Sequence, residues 1–375
     1  MQAHPGEVPT RFRVGTTSWT DASVIASGGF YPKGVKSAEQ RLRHYASVFD
    51  TAEVDSGYYA LPSARNALLW VERTPADFVF TIKAFRLFTH HQTPPEALPK
   101  DLIATLPLRE KLPSPPGRGA RGEGDLAPLV AELFPSPQPL SRRERGSSAV
   151  TQSPAVPGQK ALDTIRTGPS TRRNYYLKDL PAEILDELWR RYLIGIEPLH
   201  AAGRLRAVLF QFAPWFSHGT ASLDYLLRCQ ARLGPTLMAV EFRHASWFSA
   251  SHQQDTVAFL RQHGMAHVVV DEPQGFANSV PQVWTATTPA FSVVRLHGRN
   301  RDAWNLKGLH SSADRFKYLY DDTELSDLHD HIRQLGQESH CVQVLFNNNY
   351  ADWGVRNALS MQGLLRAGRE DRVLT

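Results

Sequence analysis

The chain lacks most of the features that would remove it from the ordinary globular proteins. Its two cysteines, Cys229 and Cys341, are too few for a disulfide framework and sit in no CxxC pair. No run approaches the roughly 18 uninterrupted apolar residues of a membrane-spanning helix. The opening stretch, Met1–Thr10, is polar, contains proline and has no apolar core of a secretory signal, so a cytoplasmic protein is expected. No GxGxxG follows the first apolar run, which removes the usual dinucleotide fingerprint. Cationic excess is missing from most of the chain as well. The net charge is +5, yet the segment from Arg109 to Lys178 holds 12 Lys/Arg against 6 Asp/Glu, leaving about −1 for everything else. Its basic residues are not interleaved with aromatics, of which the segment has only Phe134, Tyr175 and Tyr176, so nucleic-acid binding ranks last among the functions considered.

What is present is a normal complement of core-forming residues, 42% hydrophobic with 21% charged. Residues 111–170 stand apart, with 10 Pro and 7 Gly among 60 in aperiodic runs such as PSPPGRGARGEG and PLSRRERG. Such a composition buries too little apolar surface to offset the entropy of ordering. The segment reads as a disordered insertion on a surface loop, with one helical turn conceivable at Leu126–Phe134.

On either side, short β-branched and aromatic runs alternate with amphipathic stretches. The runs are Phe12–Trp19, Thr51–Tyr59, Phe78–Phe85, Ala207–Pro214, Leu237–His244, His267–Asp271, Phe291–Arg299 and Cys341–Asn349. Between them lie helical patterns including Ala38–Phe49, Ala64–Glu72, Ala182–Ala202, Ser222–Leu233, Gln253–His263 and Thr323–Gly336. Eight strand–helix alternations indicate an α/β chain, a (β/α)8 TIM-type barrel in one domain over residues 11–365, with the insertion after strand 3. An open doubly wound sheet is the alternative, but it does not favour the number eight.

Strand side chains alternate, so every second residue points into a barrel, and barrel sites lie at the C-terminal ends of the strands. There the sequence places Glu53 and Asp55, Lys83, Gln211, Glu241 and Arg243, Asp271, Arg295 and His297, and Asn347, with His244 on the following loop. Polar residues late in seven strands must pair with one another or line a cleft. A purely structural reading pairs Glu53 with Lys83 and Glu241 with Arg243. A functional reading makes a polar pocket. In it Glu241, Asp271 and His297 are the catalytic acid–base set, and Glu53, Lys83, Gln211, Arg243, His244, Arg295 and Asn347 hold a small polar or anionic ligand. The same carboxylate, carboxylate and imidazole on three successive strands also raise a possible divalent metal.

The motifs GTTSWTD, GGFYPKG, LRHYASVFDTAEVDSGYYALPS, TPADFVFTIKAFRLFTHH, VLFQFAPWF, AVEFRHASWF, VVVDE, VVRLHGR and VLFNNNYADWGVRNA run in order from about residue 13 to 365. Together they resemble the YecE-like family, catalogued as domain of unknown function 72. The resemblance implies a TIM barrel and brings no established reaction. Acid–base or hydrolytic chemistry on a sugar- or phosphate-like substrate is therefore the expectation from the residues. The alternative is a non-catalytic module gripping a phosphorylated or nucleotide ligand through Lys83, Arg243 and Arg295.

Replacing residues 111–170 by a short Gly/Ser linker is expected to leave the melting temperature within a few degrees, because closing a long loop costs little. A large loss of unfolding cooperativity would show instead that the segment packs on the barrel.

Overall fold

The computed structural model describes residues 10–105, 174–276, 278–306 and 312–373. The basic insertion and its conceivable helical turn lie outside them. Eight parallel strands, β1 (Arg11–Thr16), β2 (Thr51–Val54), β3 (Val79–Lys83), β4 (Leu205–Gln211), β5 (Met238–Glu241), β6 (Ala266–Asp271), β7 (Ser292–Leu296) and β8 (Cys341–Phe346), form one sheet in the order β1-β8-β7-β6-β5-β4-β3-β2. This is the (β/α)8 architecture expected from the alternation. Among the described residues no helix is long and apolar enough to cross a membrane.

The helices form where caps and periodicity meet. Ser37 opens Ala38–Val48 with a capping box: its hydroxyl accepts Gln40 N–H at 3.1 Å, and the Gln40 side chain accepts Ser37 N–H at 3.0 Å. Leu42, Tyr45 and Ala46 then fall on one buried stripe. Asp321 and Glu324 cap Asp322–Leu335 in the same way. That helix buries Leu325, Leu328, Ile332 and Leu335, each contributing about 1.5–3 kcal/mol.

One alternation fails. Among the described residues, no helix lies between β6 and β7. Pro273, Pro281 and Pro289 interrupt this stretch, removing donors and disfavouring helical geometry around them. It packs instead as an irregular cover through Val280, Val283, Ala286 and Phe291. Thr287 ties the cover to β6, accepting His267 N–H at 2.7 Å and donating to the Met265 carbonyl at 2.6 Å.

The sheet closes at β1 and β2 through a side chain. Tyr45 Oη accepts Thr16 N–H at 2.7 Å and donates to the Thr51 carbonyl at 3.2 Å, spanning the two strand edges. Gly15 permits this approach, since a Cβ there would meet Thr51 O at 2.2 Å. Below the strand tips the barrel interior is itself polar. Thr81 Oγ1 donates to Gln343 Oε1 at 2.7 Å, and Gln343 Nε2 donates to Thr51 Oγ1 at 2.5 Å, so each buried group is answered.

Tyr45→Phe is expected to cost about 1–3 kcal/mol in urea denaturation, because it strands a buried donor and acceptor at the seam. An unchanged midpoint would show that backbone approach alone closes the barrel.

Candidate functional site

At the C-terminal ends of the strands, charged side chains from β2, β3, β5 and β7 converge. Arg295 on β7 is wholly buried. Its Nε and Nη2 donate to the two Glu53 oxygens at 2.9 and 2.8 Å, and Nη1 donates to Glu241 Oε2 at 2.6 Å. Glu241 completes its coordination with Arg243, whose Nε reaches Oε1 at 2.6 Å. Although burial opposes it, Arg295 and Arg243 hold the Glu241 carboxyl well below the usual carboxylate range.

Arg243 extends the chain outward. Nη1 donates to Glu272 Oε2 at 2.5 Å, and Nη2 lies 2.9 Å from His297 Nε2. A guanidinium only donates, so His297 Nε2 accepts from Arg243. On the other side of the ring Nδ1 lies 2.6 Å from Asn347 Nδ2. Asn347 in turn holds Thr17 at 2.6 Å. Burial first, then Arg243, lowers His297 to about 3, so the imidazole is a neutral base at physiological pH. Gly298 follows with φ +83 and donates its N–H to Tyr320 Oη at 2.8 Å, turning the chain sharply away from the site.

On the opposite wall Lys83 Nζ sits 2.9 Å from Asp55 and 3.9 Å from Glu53. Burial pushes the Glu53 carboxyl up to about 8 against the pull of Arg295, while Lys83 holds the hydrogen-bonded Asp55 low despite its own burial. Burial also raises Glu272 to about 7 against Arg243. Four carboxyls, Glu53, Asp55, Glu241 and Glu272, thus face three cations, Lys83, Arg243 and Arg295. Glu53 and Glu272 are the two of these carboxyls that burial makes the readier to hold a proton.

The structure brings together Glu53, Lys83, Glu241, Arg243, Arg295, His297 and Asn347. It does not bring Asp271 to them. Register places Val270 beside Arg295 and Asp271 beside Leu296, so Asp271 shares the outward face of Leu296. Its carboxylate accepts from Arg299 Nε at 3.0 Å, from Tyr320 Oη at 2.5 Å and from Gln282. Glu272, the next residue, takes the inward position, and Val280 N–H at 2.9 Å steadies it from the irregular cover. The metal set of Glu241, Asp271 and His297 therefore does not assemble. Both Glu241 oxygens face guanidinium groups, and no cluster of three or more potential ligands occurs among the described residues. His244 serves locally, its Nδ1 accepting Ser246 N–H at 3.2 Å at the start of a short 3-10 turn. Gln211 stands half-buried at the end of β4, in register with Glu241.

His297 and His91 titrate near 3 and His267 near 4, all below the ordinary 6.5. The unfolded chain therefore binds protons that the fold refuses, and this stability is present above pH 6.5 and lost as pH falls. Glu53 and Glu272, with folded values of about 8 and 7, act oppositely: their contribution is present below about 4.5 and lost as pH rises through those values. Guanidinium chloride denaturation at pH 6.5 and 4.5 is expected to show a decline about 2–3 kcal/mol smaller in His297→Asn than in the parent. Equal declines would mean that the buried imidazole is protonated in the fold.

Comparison with known proteins agrees with this architecture. The family described as "Protein of unknown function DUF72" matches residues 13–374. The UPF0759 protein YunF of Bacillus subtilis is 28% identical over 354 residues, covering 94% of each chain. A DUF72 family protein from Enterococcus faecalis shares the fold with a TM-score of 0.64 at 23% identity, over 95% of both chains. Another from Thermotoga maritima gives 0.61 at 25% identity, over 95% of this chain and 99% of that one. With its barrel matched from end to end and its family profile spanning nearly every residue, the chain belongs to the DUF72 family of proteins of unknown function.

Proposed function

We propose that the protein is an enzyme performing acid–base chemistry on a small anionic substrate at the C-terminal face of the barrel. One observation carries this reading: Arg243 holds Glu272 and His297 at 2.5 and 2.9 Å, an acid and a neutral base whose environments push their proton affinities apart. Environments that separate two titratable groups in this way mark acid and base roles. Arg243 uses three of its five N–H bonds on Glu241, Glu272 and His297, and the remaining two, with Lys83, supply an anion clamp. A substrate anion on that clamp draws the Arg243 Nη2–H away from His297 Nε2, which then receives a substrate proton while Glu272 delivers one. Asn347 orients His297, Val280 N–H and Arg243 orient Glu272, and Arg295 with Glu53 and Glu241 forms the support beneath them.

The second reading, a binding module without turnover, draws on the complete pairing of Arg295, Glu53 and Glu241. NMR of the protein with glucose 6-phosphate, ribose 5-phosphate and small carboxylates in D2O separates the two. Turnover or deuterium exchange is expected in the parent, falling as pH rises through about 7 as Glu272 loses its proton. Glu272→Gln and His297→Asn are each expected to lower the rate about 10²–10⁴-fold while leaving affinity within a few-fold. A compound that binds but is never exchanged or converted would establish the binding-module reading.

A further inference from the structure

Beside the acid–base pair, the wall contributed by the loops after β2, β3 and β4 carries an aromatic and cationic assembly that extends the Lys83 and Arg243 clamp with Arg86, Tyr58, His91 and Trp215. Trp215, on the loop after β4, is 55% exposed, the only aromatic residue among the large exposed hydrophobics of the described residues. Its ring lies 6.0 Å from the buried His91, which stands edge-on to Tyr58 at 5.2 Å. Two cations lie over the same Tyr58 ring, Arg86 at 5.0 Å and Lys83 at 5.6 Å. The Arg86 Nε is buried and has no hydrogen-bond partner among the described residues. Arg86, Lys83 and Arg243 all lie close enough to His91 to depress its proton affinity after burial has done so. Lys83 and Arg243 have carboxylate partners, whereas Arg86 makes no ion pair among the described residues.

A buried guanidinium nitrogen without an acceptor costs free energy that an arriving anion recovers. An indole half in water at the rim of a polar mouth offers a flat face on which a ring stacks. We infer that this wall is the substrate's recognition site, taking a phosphomonoester that carries a ring, with the phosphate on Arg86 and Lys83 and the ring on Trp215. This deepens the proposed function by naming its substrate class, and it rests on that reading only for the position of the mouth.

Calorimetric titration with inorganic phosphate, adenosine, AMP and ribose 5-phosphate tests it. AMP or ribose 5-phosphate is expected to bind at least about tenfold tighter than phosphate or adenosine alone. Trp215→Leu, at an exposed position, is expected to weaken the ring-bearing phosphate about 5- to 100-fold and leave inorganic phosphate unchanged. Arg86→Gln is expected to weaken both. A Trp215-dependent preference for AMP assigns the platform to a base, and one shared equally by ribose 5-phosphate assigns it to a sugar ring. Ring-bearing phosphates that bind no better than phosphate, or that ignore Trp215→Leu, overturn the inference. A phosphomonoester that binds through Trp215 and Arg86 but is never converted leaves the inference standing and removes the acid–base reading.

Discussion

The site depends on the burial of one guanidinium. Arg295 has no exposed surface and answers two carboxylates, Glu53 from β2 and Glu241 from β5, reaching across the barrel to both. A charge taken out of water is tolerated only when its partners are in place, and removing one partner leaves the other stranded at a cost of about 3–5 kcal/mol. The pairing therefore constrains register. A one-residue slip of β2, β5 or β7 would turn its charged side chain to the outer face and leave the others unpaired. The same demand explains why the layer beneath, Thr51, Thr81 and Gln343, is also polar and also fully bonded.

Above that support the charges stop balancing. Glu241 is held ionised between two arginines, whereas Glu272 has only Arg243 and Glu53 shares its neighbourhood with Asp55. Burial raises all of them; what differs is the balance of cations and carboxylates around each. Proton affinities are thus spread across a few ångströms by the balance of neighbouring cations and carboxylates, Asp55 beside Glu53 included, rather than by any special residue type. The structural relatives share this barrel, and a shared barrel carries no reaction of its own.

Much of this was legible from alternation alone. Glu53, Glu241, Arg243, Arg295 and His297 could be placed inside because each sits two residues from another inward polar group or from a long apolar face. The structural pairing of Glu241 with Arg243 holds at 2.6 Å, and that of Glu53 with Lys83 survives only at 3.9 Å, because Arg295 takes both Glu53 oxygens. Alternation misplaced β6. Its apolar run HVVV looks the same from either face, so nothing local distinguishes Asp271 from Glu272 as the inward residue. The three prolines between β6 and β7 were a readable sign that the helix there would be absent, since each removes a donor that a helix requires.

The sequence by itself determined the barrel, its eight strands, and which strand ends are polar, because these follow from the two-residue and 3.6-residue periods of each segment. The tertiary structure alone decided which charge meets which. Glu53 and Arg295 lie 242 residues apart, and Arg86, Tyr58 and Trp215 come from three different loops. Local periodicity contains no information about such contacts. They are chosen when the closed sheet fixes strand register and leaves each buried charge a small set of partners within reach.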